Sequence, residues 1–313
     1  MRYLARRVLH LAIIVVVVTF LVSAMLTLLP GDAAVTIAGE NATPEQVEAV
    51  RQELNLDDSL ITRYGAWLSD AVRGDLGTSL TNRQDVLGTI AGRLPVTIEL
   101  VVLAQLVALT FAFTTTLLAV RRPGGVVDRA TESVSMMLIS VPQFVLAVVL
   151  VLVFALQLSW FDVSGFTRLT DDPAANLKSV VLPVIAIAAD PAGVYQRLLR
   201  TDLGRTMSEP FIQTARAKGI RPSRVVIRHA LRPSLFSLTT VAAMTTARLI
   251  GGSLVVESIF ALPGIGRLLL DSINHRDYVT LQGVVAFIAV GYVVVNTLTD
   301  LFYSALDPRV RTA

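Results

Sequence analysis

Apolar residues fall along this chain in long runs rather than at the spacing of a surface helix. The first run covers residues 9–29, and others lie at about 97–120, 133–158, 180–199, 235–256 and 281–303. Each is near or above the roughly 20 residues that cross a bilayer as a helix. Pro183, Asp190, Pro191 and Arg197 interrupt the fourth run. The pattern predicts an all-α integral membrane protein of about six transmembrane helices. Residues 1–95 form the first span and an extracytoplasmic helical segment, 96–303 a transmembrane domain, and 304–313 a cytoplasmic tail. A signal peptide is the competing reading of the first run. It exceeds the usual apolar core of about 7–15 residues, and Leu29-Pro30-Gly31 offers no small-x-small cleavage site, so it reads as a retained helix.

Two polar segments carry helical periodicity. In 30–96, Thr43-Pro44-Glu45-Gln46 has the form of a capping box, and Val47, Val50 and Leu54 follow as a stripe. A second stripe runs Leu60, Ile61, Tyr64, Leu68, Ala71 and Val72 before Gly74. These are short amphipathic helices, lying either on the membrane or as a lid on the protein's own outer surface. In 200–234, Ser208 is positioned as a cap, Pro210 sits in the first turn, and Gly219 ends a helix. A second helix follows Pro222-Ser223, with Arg221, Arg224, Arg228 and Arg232 near one face, and Pro233 precedes the next span. Two short helices joined at a glycine suit force transmission from a soluble partner. A solvated basic loop fits the same spacing.

Charge placement orients the spans. With the N-terminus cytoplasmic, the inner segments and Arg197 hold 17 of the 27 basic residues, the outer segments hold nine, and Arg248 lies within the fifth span. The outer segment 30–96 has ten acidic residues against five arginines. Both termini are therefore expected on the cytoplasmic side.

Composition removes several chemistries. Charged residues make up 16% of the 313 positions, below the roughly 25% of soluble domains. There is no cysteine, and His10, His229 and His275 lie on separate segments without metal-ligand spacing, so no metal site is expected. Lys178 and Lys218 are the only lysines and neither follows glycine, so a phosphate-binding P-loop is missing. No Gly-x-Ser-x-Gly elbow is present. No catalytic residue is assigned, and the energy for transport must come from another polypeptide or an ion gradient.

Polar positions inside spans are candidate functional sites. Ser237, Thr240, Met244, Arg248 and Gly251 fall within about 60° on a helical wheel, a stripe suited to a wet cavity or another subunit. Arg248 is placed to pair with a peptide carboxylate, or in a structural ion pair with Glu257 or another internal acid. Asp190-Pro191 reads either as a kink, since the proline frees the Ile187 carbonyl, or as part of a translocation surface. Asp190, Thr240, Met244 and Arg248 are the candidate cavity residues. Glu99 and Asp300 are expected to be solvated near span ends, and Asn296 shares a face with Asp300.

The stretch Gln213-Thr214-Ala215-Arg216-Ala217-Lys218-Gly219 resembles the cytoplasmic signature of ABC importer permeases of the dipeptide and oligopeptide class. That signature is Glu-Ala-Ala-x-x-x-Gly followed by Ile-x-Leu-Pro. Here Gln213 replaces the glutamate, and Pro233 comes one residue late after His229-Ala230-Leu231-Arg232. Further blocks are similar in order along nearly the whole chain. They include Leu29-Pro30-Gly31-Asp32, Arg51-Gln52-Glu53-Leu54-Asn55-Leu56-Asp57 (with Asn55 for the usual glycine), Gly74-Asp75-Leu76-Gly77-Thr78-Ser79 and Arg93-Leu94-Pro95-Val96-Thr97-Ile98-Glu99-Leu100. Ser140-Val141-Pro142-Gln143-Phe144, Glu257 to Gly266 with Arg276-Asp277-Tyr278, and Leu306-Asp307-Pro308-Arg309 complete the set.

The resemblance implies a multi-pass permease of the bacterial cytoplasmic membrane with the type I importer fold. Residues 208–222 would be its coupling helix, contacting an ATPase through Phe211, Gln213, Thr214, Ala215, Arg216, Lys218 and Gly219. Its partners would be a second homologous permease, one or two ABC ATPase subunits, an extracytoplasmic substrate-binding protein and membrane lipid, with no nucleic acid. ATP and Mg2+ would sit on the ATPases, and this chain would bind no cofactor. Nickel complexes, glutathione or another small solute are alternative cargoes. An ion-coupled secondary transporter using Asp190, Arg248 or Glu257 as a relay is the competing class, and an intramembrane hydrolase a more distant one.

The orientation is open to a direct test, because the chain has no cysteine of its own. With cysteines introduced singly at Thr78 and Ser223, an impermeant thiol reagent added to intact cells should label Thr78→Cys and spare Ser223→Cys. The opposite pattern reverses the topology.

Overall fold

The computed structural model describes residues 2–25, 33–39, 41–53 and 55–306. Among these every regular element is helical. In chain order they are α1 (Arg2–Met25), α2 (Ala33–Ala38), α3 (Pro44–Glu53), α4 (Leu60–Val72), α5 (Val86–Ala119), α6 (Val126–Ser140) and α7 (Gln143–Leu150), the last continued by a π-helical segment Val151–Gln157. Next come α8 (Pro173–Thr206), α9 (Pro210–Ala217), α10 (Pro222–Arg224) with a π-helical segment Val225–Ala230, α11 (Leu231–Gly252), α12 (Leu254–Ile259), α13 (Ile265–Asn274) and α14 (Tyr278–Leu306). The blocks at 29–32 and 307–309, the tail beyond 306, Leu54 and the side chain of Asp300 lie outside the described residues.

The helices gather into two compact units. One comprises Met1–Val96 with Pro263–Val294, the other Thr97–Leu262 with Val295–Ala313, so α5 and α14 each contribute to both.

In the first unit the capping box forms as its residues dictate. Gln46 N donates to Thr43 Oγ1 at 3.3 Å, and Thr43 N donates to Gln46 Oε1 at 2.8 Å. Ser59 caps α4 by accepting from Thr62 N at 3.3 Å. Tyr64 is the buried residue of α4; its hydroxyl bonds Thr19 Oγ1 and the Val16 carbonyl of α1, both at 2.9 Å. Leu60, Leu68 and Ala71 of the same stripe are half-buried, while Ile61 and Val72 are exposed. The core consists of Leu76, Val86, Ile90, Ile265, Leu268 and Val284. It is tied by buried Asp277, which caps α14 through Thr280 N (3.2 Å) and Thr280 Oγ1 (2.7 Å) and accepts from Ser79 Oγ (2.5 Å).

The second unit is built around α8. Asp172 caps it by accepting from Ala174 N and Ala175 N at 2.9 and 3.1 Å, with Pro173 in the first turn. The helix then runs unbroken through Pro183 and Pro191, where the chain pattern suggested an interruption. Packing on α6, α7, α11 and α12 holds it. Of its most apolar window 61% is buried, against 39% for α5 and 33% for α14. Close approach is required at Gly193, where a Cβ would stand 2.6 Å from the Ser135 carbonyl oxygen of α6.

The expected third span is not one straight helix. α6 and the α7 segment meet at 102°, broken where Val141 is extended (φ −90°, ψ 120°) before Pro142. Proline disfavours a helical conformation in the residue before it and has no N–H to continue the ladder. Among the described residues three helices are long and apolar enough to cross a membrane, or four if the bent pair is one span. In α11, Arg248, Thr240, Thr245, Thr246 and Ser237 dilute the apolar character.

Gly193→Ala tests the α6–α8 contact. Its methyl must displace backbone or Ile139, so the purified protein should lose about 1–3 kcal/mol of stability, read as a lower thermal unfolding midpoint.

Candidate functional site

Two features of the second unit gather the residues singled out from the chain. The first is α9. Pro210 occupies its first turn, and Glu209 (φ −69°, ψ 147°) is the N-cap. Ser208, expected as the cap, instead directs its hydroxyl back to the Gly204 carbonyl at 3.4 Å, because it still belongs to the turn that ends α8. After Lys218, Gly219 takes φ +73°. Its N–H donates to Arg216 O at 2.9 Å, and Ile220 N reaches back to Ala215 O at 3.3 Å, closing the helix end. A Cβ at Gly219 would meet nothing within 4 Å, so conformation alone, not space, asks for glycine there.

Burial divides the seven candidate residues of this helix. Ala215 is buried with Ile212 in a cluster with Leu203, Val225 and Ala230. Ala215 therefore fastens α9 to its own unit. Phe211, Gln213, Thr214, Arg216, Lys218 and Gly219 are exposed, with Phe211 at 47%. Arg221, Arg224, Arg228 and Arg232 are exposed too, and among the described residues no carboxylate lies within ion-pair reach of them. The outward surface is thus one aromatic ring set among cations and small polar groups.

Behind α9 lies an open cleft of about 850 Å³, whose lining includes Leu117, Arg121, Asp128, Arg200, Met207 and Val226. Its wall is held by an ion pair that was not foreseen. Arg200 Nε and Nη2 donate to Asp128 Oδ1 and Oδ2 at 2.6 and 2.8 Å, and Gly124 N adds a third bond to Oδ2 at 2.8 Å. Asp128 drew no notice because an acid amid arginines in a basic loop looks like surface charge.

The second feature is the polar stripe of α11. Arg248 Nη2 donates to Asp190 Oδ2 of α8 at 2.7 Å, so two candidate cavity residues meet each other. Met244 and Arg248 are exposed, and Thr240 and Ser237 are half-buried. Thr240 Oγ1 donates to the Phe236 carbonyl at 3.0 Å. Glu257, the named alternative partner of Arg248, is buried elsewhere and accepts from Thr97 Oγ1 and Ser253 Oγ at 3.0 and 2.9 Å. Glu99 has one carboxylate oxygen closed off from solvent, where interfacial solvation was expected. Beneath the stripe, Tyr195 donates to Gln105 Oε1 at 3.1 Å, and Gln105 Nε2 donates to Ala242 O at 2.7 Å. Gln105 stands alone as an amide inside an apolar run, which was the signal available for it.

Comparison with known proteins covers the whole arrangement. Residues 106–312 match the family described as "Binding-protein-dependent transport system inner membrane component", and residues 1–101 match its N-terminal companion. A peptide transport system permease protein of Brucella abortus (strain 2308) is 39% identical over 299 residues, 96% of this chain and 94% of its own. A peptide ABC transporter permease protein of Sinorhizobium fredii is 36% identical over 99% of both chains. A glutathione transport system permease protein of Escherichia coli (strain K12) is 33% identical, again over 99% of both.

Asp128→Ala leaves Arg200 without its main partner. The loss should be on the order of 3 kcal/mol, the low end for breaking a buried pair because Arg200 keeps some solvent. Thermal unfolding of the purified protein measures it, with Glu132→Ala, whose carboxylate stands 3.9 Å from Arg200, as a near-neutral control.

Proposed function

We propose, because this chain belongs to the family of binding-protein-dependent transport system inner membrane components, that it is the permease subunit of an ATP-driven importer of di- and oligopeptides. The observation that carries the cargo is the likeness, over nearly the full chain, to permeases named for peptide transport in two organisms. Glutathione is the second reading, favoured by the Escherichia coli relative.

In this reading the chain crosses the membrane six times with both termini in the cytoplasm. A second related permease completes the channel, an extracytoplasmic binding protein delivers cargo, and one or two ATPases carry ATP and Mg2+. The chain itself holds no cofactor. The α9 helix is the coupling element: Phe211 enters a groove of the ATPase, while Gln213, Thr214, Arg216 and Lys218 rim it. Support comes from the exposure of those residues and from the Ile212–Ala215 anchor, which makes α9 move with the end of α8. ATP-driven closure of the ATPases swings α9, and the cavity bordered by Asp190, Thr240, Met244 and Arg248 opens outward.

Gly219→Val tests the coupling. A β-branched residue at φ +73° is strained by roughly 1–2 kcal/mol, enough to distort the end of a docking helix. The variant should still insert and bind its extracytoplasmic partner while ATP-dependent uptake falls at least tenfold. In proteoliposomes with ATP and ion gradients varied separately, uptake should follow ATP alone. Gradient-driven uptake by this chain without an ATPase would show an ion-coupled carrier instead.

A further inference from the structure

The second unit holds two ion pairs of opposite construction. Asp128–Arg200 is bidentate, its aspartate side chain is 4% exposed, and a backbone N–H adds a further bond. Asp190–Arg248 is joined at one point, with side chains 38% and 66% exposed. Among the described residues neither partner of the second pair makes another side-chain hydrogen bond. Arg248 keeps most of its five donors in reserve, and Asp190 keeps one oxygen.

This pair is not what holds α8 to α11. Tyr195 on α8 joins Gln105 of α5, which bonds both Ala242 O and Thr246 Oγ1 (3.2 Å) on α11. Asp190 lies midway along the 34-residue α8. Charges at such a depth cost several kcal/mol if they face hydrocarbon, so they face protein or water. The stripe they share with Thr240 and Met244 is the surface already assigned to the cavity.

A one-point pair with spare valences on both partners is complementary to a molecule carrying both charges. We infer that Asp190 and Arg248 form an exchangeable lock for the charged ends of a zwitterionic peptide. The guanidinium fork takes the terminal carboxylate, and the Asp190 carboxylate takes the terminal ammonium. The inference rests on the peptide reading and adds to it the groups that recognise cargo. Exchange leaves every charge partnered: the lock opens, each half finds an opposite end, and the halves rejoin when cargo leaves. A peptide with one end blocked leaves one half of the lock without the charge-assisted bonds that both halves have in the closed pair, which is where discrimination arises.

The test uses the full complex in proteoliposomes, fed by one binding protein, with three probes: trialanine, N-acetyl-trialanine and trialanine amide. Because the same binding protein serves every variant, its own preference cancels when variants are compared. Arg248→Gln should lower trialanine uptake at least tenfold and erase the preference for trialanine over its amide, leaving the preference over the acetyl form. Asp190→Asn should do the reverse. A merely structural pair cannot give that crossed pattern, and equal or no change in the two preferences overturns the lock. Assembly is followed by copurification of the partner subunits. Should a neutral variant not assemble, Arg248→Lys keeps the charge without the fork and should cut the preference for the free carboxylate at least threefold; an unchanged preference overturns the proposal. If the wild type transports none of the three probes, the peptide reading falls and the lock with it. Wild-type uptake with uncrossed variants removes the lock alone.

Discussion

A helix buried around most of its circumference has nowhere to send its polar groups except to its neighbours. α8 is in that position, and the second unit is organised around meeting its demands. Gly193 lets α6 approach to backbone contact, Tyr195 finds Gln105, and Arg200 finds Asp128. Two of these contacts join α8 to α6 and one joins it to α5. Protein neighbours in place of lipid also surround Gln196 and the two internal prolines, Pro183 and Pro191, all three buried. α5 and α14 have less of their apolar windows covered.

The same helix links the two halves of the proposed function. Leu203, near its cytoplasmic end in the proposed topology, packs with Ile212 and Ala215 of the docking helix. Asp190 lies thirteen residues away on the same rigid element, about 20 Å at 1.5 Å per residue. In the proposed function, a displacement of α9 would therefore be delivered to the helix that bears one half of the charged lock. The bidentate Asp128–Arg200 pair lies between them and keeps α6 with α8, so that the end of α8 and its partner move together. Within the proposed function, a firm pair near the docking end and a loose pair at the cavity would transmit motion at one level and release it at the other.

In the first unit a carboxylate does comparable work. Asp277 begins α14 and at the same time receives Ser79 and the Leu80 amide at 3.3 Å, so the loop before α5 is pinned to the start of α14. Thr19 and Tyr64 do the same for α1 and α4. Short helices of marginal stability on their own are held by buried hydrogen bonds between segments far apart in the chain.

Local chemistry was legible from the amino-acid order alone. The Thr43–Gln46 box, the Pro210 start, the left-handed Gly219 and the apolar runs each depend on a few neighbouring residues or on average hydrophobicity, and the resemblance of ordered motifs pointed to the family to which the chain belongs. Whatever depends on which surfaces meet was not legible. The Val141-Pro142 break looked like the interior of a span, because composition is blind to a bend. Ala215 matched a docking motif, yet only packing shows that it faces Leu203. Which members of the stripe on α4 are covered also came from packing: Tyr64 is buried by bonding α1, while Ile61 and Val72 stay exposed. Arg248 had Glu257 as the nearest acid in its own stretch of chain, but Asp190, 58 positions away, is its partner, since only the crossing of α8 and α11 brings those two charges together.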